Sequence, residues 1–118
     1  MNFRPVVEGR SYADWIGQYR DKSGVYLIRA KDGGEILYIG ESHSDTLTRT
    51  LTRHFNKWTG PTAGPTYARS KVEVAVIKTR KERALEYQNA LIEEHRPKDN
   101  IAAKPDFWKE VKDWLTSE

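Results

Sequence analysis

The sequence contains no cysteine among its 118 residues. This absence excludes disulfide bonds, thiolate nucleophiles and sites in which sulfur holds zinc or iron, and it fits a reducing compartment. The sequence also lacks any apolar run near the ~20 residues that a membrane-spanning helix needs, and its amino terminus lacks a signal-peptide pattern. We therefore expect a cytoplasmic protein that does not engage a membrane.

Aromatic residues supply much of the apolar surface that this charged chain can bury. They make up 11% of the residues and include four tryptophans. Because rings supply much buried area per residue, this content argues for a packed core and against disorder. A chain of this length is sufficient for one domain, which we predict to span residues 1–118.

The charge is unevenly distributed, although the net value is only +3. Between Leu47 and Arg83 there are nine basic residues and two acidic ones. A basic segment is typical of proteins that bind the phosphate backbone of nucleic acids, and a solvated charged face is the alternative. The candidate backbone contacts are Arg49, Arg53, Lys57, Arg69 and Lys71.

Hydrophobic periodicity predicts three strands. Residues 24–30 and 36–39 read as the two arms of a hairpin, because Gly33 and Gly34 between them tolerate positive φ. Val72, Val74 and Val76 alternate with other residues and predict a third strand with one apolar face.

Apolar spacing also predicts helices. The stripe at residues 12, 15, 16 and 19 predicts an opening helix over 11–20, and further stripes predict helices over 47–58, 80–95 and 106–116. The Glu41-Ser42-His43 stretch between the hairpin and the second helix is expected to be a loop. The predicted class is α+β, with a small three-stranded antiparallel sheet flanked by helices.

Two tripeptides carry the strongest family signal. They are Gly24-Val25-Tyr26 and Tyr38-Ile39-Gly40, and they are followed by a basic helix and by Pro97-Lys98-Asp99-Asn100. In this combination the chain resembles the GIY-YIG nuclease domain over about residues 23–100, with the helices at 11–20 and 106–116 outside the shared core. The resemblance implies an α/β sandwich that hydrolyses phosphodiester bonds in nucleic acid, most simply DNA, with Mg²⁺ or Mn²⁺.

The resemblance also implies site residues. Tyr26 and Tyr38 take the positions of tyrosines that line the family's site, one of them as the base or as an orienter of water. His54 falls on a helix position that carries His or Tyr, and Asn100 matches a terminal asparagine that helps to hold the site together. The structural alternatives are cross-strand packing for the tyrosines, a core-edge position for His54 and a turn position for Asn100.

Thr50 occupies the position at which the resemblance implies an arginine. Arg49 and Arg53 flank it. At 100° per residue, Arg53 lies about 60° from the direction of Thr50 and Arg49 about 100° away. Arg53 is therefore the better angular substitute, and a long guanidinium side chain can reach a phosphate from there. A surface or backbone-phosphate contact is the alternative for both.

Gln88 occupies the position at which the resemblance implies a metal-binding glutamate, three residues before Leu91-Ile92. A neutral amide is a weaker ligand than a carboxylate for a hard cation. Three explanations remain open: an introduced inactivating substitution, a natural change in a divergent subfamily, or compensation by a neighbouring acid, for which Glu41 is the candidate. Gln88 lies within an apolar stripe, where an unpaired amide would be costly, so it must face a polar pocket or find partners.

These residues support three functional hypotheses. The first is a divalent-metal-dependent GIY-YIG endonuclease that cuts DNA. The second is a nucleic-acid-binding module that kept the scaffold and lost the reaction, as the departures at Thr50 and Gln88 suggest. The third is a partner-binding domain that uses Trp108 and Trp114 of the terminal helix, although core packing explains those rings as well. The sequence does not indicate an oligomeric state.

Overall fold

We determined the fold from a computed structural model; it describes residues 1–61 and 63–103. The strands are β1 (Arg4–Pro5), β2 (Val7–Glu8), β3 (Ser11–Tyr12), β4 (Ser23–Ala30), β5 (Ile36–Ser42) and β6 (Val72–Thr79). The helices are α1 (Leu47–Thr52), α2 (Ala84–His95) and α3 (Lys98–Ala103). Single 3₁₀ turns or short 3₁₀ helices occupy Asp14–Tyr19, Arg53–Phe55, Arg69–Lys71 and Lys81–Arg83. None of the described helices has the length and apolarity to cross a membrane.

The centre of the fold is an antiparallel sheet in the order β1-β6-β4-β5. The predicted α+β class is confirmed, but the predicted count of three strands is wrong because β1 pairs with the outer edge of β6. A strand of two residues is too short to show alternation, so the sequence pattern gives no signal for it. The predicted hairpin between β4 and β5 is present, and Gly33 and Gly34 have φ values of 84° and 69° in its turn.

The first predicted helix is also wrong over part of its length. Ser11 pairs with Glu8 in the small β2–β3 hairpin and is therefore unavailable to begin a helix. Only Asp14–Tyr19 is helical, as a 3₁₀ helix, and the indole of Trp15 within it donates a 2.8 Å hydrogen bond to the carbonyl oxygen of Pro5. The apolar stripe therefore predicted correctly which side of the segment is buried, but it predicted the wrong type of helix.

Other helix boundaries differ from the sequence prediction. Helix α1 ends at Thr52, well before the predicted residue 58, and α3 was not predicted at all. The predicted helix at 106–116 lies outside the described residues. Glu41 lies within β5, so its predicted loop position is wrong. The sequence signal for a loop was the polar run that follows Gly40, and this run belongs to the end of an edge strand.

Each face of the sheet has its own hydrophobic core. On one face, Tyr26 and Tyr38 pack with Leu47 and Leu51 of α1 and with the segment around Trp15. On the other face, the buried cluster consists of Val25, Leu27, Ile39 and Ile92, with Leu91 against it. The alternation of a strand, period two, accounts for this division. The tyrosines of the two tripeptides therefore share the α1 side, and Ile39 faces α2.

Gly40 determines where the side chain of Tyr26 can go. Tyr26 and Gly40 are cross-strand partners in the β4–β5 pair. A Cβ atom at residue 40 would collide with the ring and hydroxyl of Tyr26. Without that atom, the ring crosses β5 and reaches the edge of the sheet, where α1 ends.

Candidate active site

The hydroxyl of Tyr26 meets the imidazole of His54 at the edge of the sheet. Its oxygen lies 2.6 Å from Nε2, and both side chains are buried. The ring of Tyr38 lies beside them, with centroid distances of 4.8 Å to His54 and 6.3 Å to Tyr26. The structure thus brings together the three residues that the sequence predicted from separate motifs.

The hydrogen bond of Nδ1, the second ring nitrogen of His54, determines which nitrogen carries the proton. Nδ1 lies 2.7 Å from the carbonyl oxygen of Pro65. A carbonyl oxygen only accepts, so Nδ1 must carry the proton, and Nε2 of the neutral ring is left as an acceptor. The Tyr26 hydroxyl is therefore the donor in its bond with His54.

Burial keeps both groups of this pair neutral. Desolvation lowers the pKa of His54 to about 4, an effect that the bond to Pro65 only partly opposes. Desolvation also raises the pKa of Tyr26 well above its usual range; the nearby Tyr38 and Glu41 add to the rise, and the positive charge of Arg53 opposes it. At neutral pH, the pair rests as an uncharged phenol donating to an uncharged imidazole.

Tyr38 presents a hydroxyl that no side chain or backbone group in the described part of the chain engages. The residue as a whole is buried, with 8% of its surface exposed. Burial and the Glu41 carboxylate raise the pKa of Tyr38, and the hydroxyl therefore stays protonated. A free donor and acceptor at this position is suited to orient a water molecule or a phosphate oxygen.

Asn100 fixes β5 from its open edge. Its Oδ1 accepts from the backbone N–H of Ile39 at 2.8 Å, and its Nδ2 donates to the carbonyl oxygen of Ile39 at 2.9 Å. The amide thus serves as a one-residue strand partner at the middle of Tyr38-Ile39-Gly40. Buried backbone groups need such partners, so Asn100 stabilises the strand that carries Tyr38.

Gln88 reaches the same backbone carbonyl from α2. Its Nε2 donates to the oxygen of Ile39 at 3.3 Å, and its Oε1 makes no hydrogen bond to the described residues. The amide therefore does have a partner, as its place in an apolar stripe requires. A carboxylate could not make this bond because it has no proton to donate to a carbonyl.

Glu41 is an acidic residue of β5 on the α2 side of the sheet. It lies two residues beyond Ile39 on the same strand face, and its carboxylate accepts from Nδ1 of the exposed His43 at 2.9 Å. Within residues 1–61 and 63–103, no three His, Cys, Asp or Glu side chains are grouped as a metal site requires. An amide oxygen and one carboxylate are a weak donor set for a hard divalent cation.

Arg53 is an arginine whose charge acts on Tyr26. It is exposed at the start of the 3₁₀ turn after α1, and its guanidinium lies 5.6 Å from the centre of the Trp58 ring. Its charge acts on the Tyr26 hydroxyl, as the pKa effect indicates. Arg49 is exposed one turn earlier, and Thr50 is half-buried without a side-chain bond to the site.

The remaining predicted phosphate contacts lie on the surface. Lys57, Arg69 and Lys71 are all exposed. Arg69 has its guanidinium 5.1 Å from the centre of the Tyr12 ring. None of the three makes an ion pair with a described residue, so their charges remain available to a phosphate backbone.

The sequence analysis missed the segment that covers His54. Pro65 supplies the acceptor for Nδ1, and the ring of Trp58 packs edge-on against His54 at 4.9 Å. Tyr67 donates from its hydroxyl to the carboxylate of Asp99 at 2.5 Å. The sequence offered one clue, a tyrosine just after the Gly-Pro stretch at 60–65, where aromatic residues are otherwise unexpected.

The chain matches a known domain family over most of this region. The family model for the GIY-YIG catalytic domain matches residues 22–101. UvrABC system protein C from Thermosipho africanus (strain TCF52B) is 36% identical over 84 residues, which are 71% of this chain and 14% of that protein. The homologue from Desulforudis audaxviator (strain MP104C) is 36% identical over 104 residues, 80% of this chain and 15% of that protein. The chain thus spans about a seventh of the length of these curated relatives.

A solved structure was also matched. The GIY-YIG N-terminal endonuclease domain of UvrC from Thermotoga maritima, bound to magnesium, superposes with a TM-score of 0.47 and 23% identity. The match covers 73% of this chain and 96% of that domain.

Proposed function

The chain belongs to the GIY-YIG family, as the paired tyrosine strands predicted, and on that premise we propose that it is an endonuclease that hydrolyses phosphodiester bonds in DNA. The observation that carries the proposal is the hydrogen bond from Tyr26 to Nε2 of His54, with the ring of Tyr38 beside it. The pair places a proton donor and a proton acceptor in direct contact, which is the arrangement that general acid–base chemistry requires.

The direction of this bond suggests a proton path. A water molecule that attacks phosphorus gives its proton to the Tyr26 oxygen as Tyr26 passes its own proton to Nε2 of His54. The bond from phosphorus to the leaving sugar oxygen breaks in this step, and that oxygen takes a proton from solvent. Tyr26 returns to the neutral phenol, and His54 ends as the imidazolium with Nδ1–H held by Pro65. This relay avoids a free tyrosinate, which the raised pKa of Tyr26 makes costly.

Further side chains have roles in this proposal. The Tyr38 hydroxyl orients the attacking water or a phosphate oxygen, because it has no partner among the described residues. Arg53 stabilises the negative charge that develops on the phosphate, with Arg49 further along the backbone. Lys57, Arg69 and Lys71 extend the contact with the DNA backbone. Asn100 holds the strand on which Tyr38 stands.

Mg²⁺ or Mn²⁺ is the cation that we propose for the reaction. Gln88 Oε1 and the Glu41 carboxylate would hold it, together with phosphate oxygens of the DNA. When bound, the cation would supply positive charge at the scissile phosphate. Because only one of these donors is charged, we expect binding to be weak and activity to need a high concentration of the cation.

A catalytically inactive nucleic-acid-binding module is the second candidate. It is favoured by Gln88, whose amide is engaged with the Ile39 carbonyl, and by Thr50 in place of an arginine. In this case, the Tyr26–His54 pair would only stabilise the fold. The cytoplasmic location and the choice of DNA over RNA stay predictions from the sequence.

A plasmid-nicking assay distinguishes the two candidates. Supercoiled DNA would be incubated with the chain, with Gln88→Glu and with Tyr26→Phe, at Mg²⁺ and Mn²⁺ concentrations up to tens of millimolar. The endonuclease proposal predicts slow nicking by the chain, faster nicking by Gln88→Glu, and none by Tyr26→Phe purified in the same way. Binding without nicking by either of the first two proteins would establish the inactive module, and absence of binding at low salt would overturn both.

A further inference from the structure

The segment after α1 folds back over the imidazole of His54. Its Pro65 carbonyl accepts from Nδ1 at 2.7 Å. Gly64 packs so closely that an added Cβ would lie 2.7 Å from Cε1 of His54 and 2.9 Å from Cζ3 of Trp58. The ring is therefore in contact with this backbone on one side and with Tyr26 on the other.

Tyr67 anchors the segment through both its backbone and its side chain. Its backbone N–H donates to the carbonyl oxygen of His54 at 2.7 Å. Its hydroxyl donates to Oδ2 of Asp99 at 2.5 Å, and the hydroxyl is part-buried. A charge-assisted bond of this length is among the stronger neutral–ionic contacts in proteins, so it can fix the position of a short irregular segment.

The carboxylate of Asp99 has no other hydrogen-bond partner among the described residues. Its neighbour Asn100 makes the two bonds to Ile39 in β5. Two consecutive residues of α3 therefore hold the two halves of the site. One holds the strand of Tyr38, and the other holds the segment that covers His54.

We propose that Tyr67 and Asp99 are positioning residues that keep the Pro65 carbonyl on Nδ1 of His54 and so leave Nε2 free to accept from Tyr26. A neutral imidazole carries its proton on either nitrogen, and the hydrogen bond of the other nitrogen selects which. If the Pro65 carbonyl moved away, the Nε2–H tautomer would become accessible. In that tautomer, Nε2 is a donor, and the Tyr26 hydroxyl would have to reverse its bond.

This inference rests on the proposed function only for its effect on rate; the effect on the ring itself can be measured separately. The test uses the full chain labelled with ¹⁵N, and long-range ¹H–¹⁵N spectra of the imidazoles, with His54→Gln to assign the signals. The unmodified chain should give the pattern of the Nδ1–H tautomer. Tyr67→Phe and Asp99→Ala should give a mixture of tautomers or the Nε2–H form.

Asp99→Asn is the matched rescue variant, since its amide oxygen still accepts from Tyr67. It should keep the Nδ1–H pattern. Tyr87→Phe, which removes an exposed hydroxyl from α2, should also leave the spectrum unchanged. The double variant Tyr67→Phe/Asp99→Ala should be no worse than either single one, because both remove the same bond.

Nicking provides the second readout. Tyr67→Phe and Asp99→Ala should lower kcat by about tenfold to a hundredfold with little change in KM, as expected when a reacting group is displaced and substrate contacts are kept. Gly64→Ala, which pushes on the ring directly, should reproduce the loss.

Retention of the Nδ1–H tautomer in both Tyr67→Phe and Asp99→Ala would overturn the inference, whatever their activity. A change of tautomer in Tyr67→Phe and Asp99→Ala, combined with no cutting of DNA by the unmodified chain, would support the positioning role and overturn the proposed endonuclease. The two claims therefore fail by different measurements. Backbone amide spectra of each variant establish that it is folded before either readout is taken.

Discussion

The hydroxyl of Tyr26 donates a 2.6 Å hydrogen bond to Nε2 of His54, a residue 28 positions away on a different element. The direction of the bond follows from the Pro65 carbonyl on the other nitrogen of the ring. This relationship supports the proposed proton path, and it makes the two tyrosines of the hairpin unequal. Tyr26 is bonded within the protein, whereas the Tyr38 hydroxyl has no hydrogen-bond partner among the described residues.

The inequality of the two tyrosines predicts different outcomes for the same substitution. Tyr26→Phe leaves the buried Nε2 of His54 without a donor, so it should lower the free energy of unfolding by about 1–3 kcal/mol. Tyr38→Phe removes a hydroxyl that has no described partner and should leave the free energy of unfolding within about 0.5 kcal/mol. Both should reduce nicking by roughly 10²–10⁴-fold.

Urea unfolding and plasmid nicking of the two variants check this prediction. Tyr12→Phe, on the half-buried β3 strand and outside the site, is the control for removal of a tyrosine hydroxyl. Equal stability losses in Tyr26→Phe and Tyr38→Phe would contradict the bonding that the structure assigns to them.

The buried neutral His54 predicts a dependence of stability on pH. Its pKa is about 4 in the folded chain, against 6.5 when unperturbed. Between these values, the unfolded chain binds the extra proton and the folded chain does not, so stability is complete above pH 6.5 and falls as the pH drops towards 4. The loss over this window should be about 3 kcal/mol from this residue.

Chemical denaturation at several pH values measures this loss. His54→Gln should flatten the profile between pH 6.5 and 4, and substitution of the exposed His43 by Gln should not. An unchanged profile in His54→Gln would show that another group is responsible.

Gln88→Glu should convert a structural contact into a cation site. The carboxylate cannot donate to the Ile39 carbonyl. Without a cation, we therefore expect the free energy of unfolding to fall by about 1–2 kcal/mol, because the hydrogen bond is lost and two acceptor oxygens face each other. A bound cation would offset this loss, because a ligand that binds only the folded state stabilises it. The melting temperature of the variant should therefore rise with Mg²⁺ or Mn²⁺ concentration more steeply than that of the unmodified chain.

Glu41→Gln is the companion variant for this titration. If Glu41 contributes to the cation site, its removal should weaken the response to Mg²⁺ in the Gln88→Glu background. A cation response that is identical in all the proteins would exclude residue 88 as a ligand position.

Substitutions of Asn100 should lower the free energy of unfolding according to how many of its two hydrogen bonds to Ile39 they remove. Asn100→Ala removes the partner of both the N–H and the carbonyl of Ile39 and should cost about 2–3 kcal/mol. Asn100→Asp keeps the acceptor and loses the donor, so its cost should be intermediate. Urea unfolding measures both, with Asn89→Ala on the exposed face of α2 as a control that should change stability by less than about 0.5 kcal/mol.

The basic residues around the site should determine the salt dependence of DNA binding. For each phosphate contact removed, the slope of log K against log salt should fall by about 1. Arg53→Gln and Lys57→Gln are the test variants, measured by fluorescence anisotropy with a labelled duplex. Arg83→Gln is the matched control because Arg83 is paired with Glu86 at 3.0 Å on the α2 side. A slope that falls only in the control would move the DNA interface to that side.

The sequence predicted the hairpin, the third strand and the α2 helix because periodic burial is written into each segment. Alternation at 72, 74 and 76 required a strand with one apolar face, and Gly33 and Gly34 marked the turn. The short strand β1 and the helix α3 carried no such period. Their positions depend on pairing with β6 and on the bond of Asn100 to Ile39, which are contacts between distant residues.

By itself, the sequence determined which residue types stand at the site: two tyrosines, a histidine and an asparagine, with an amide at residue 88 and threonine at residue 50. Only the tertiary structure decided how they are bonded. The meeting of Tyr26 with His54, the Pro65 carbonyl that selects the tautomer, and the engagement of Gln88 with Ile39 all join separate elements. A local pattern reports which face of an element is buried, and the partner of that face is chosen when the elements pack.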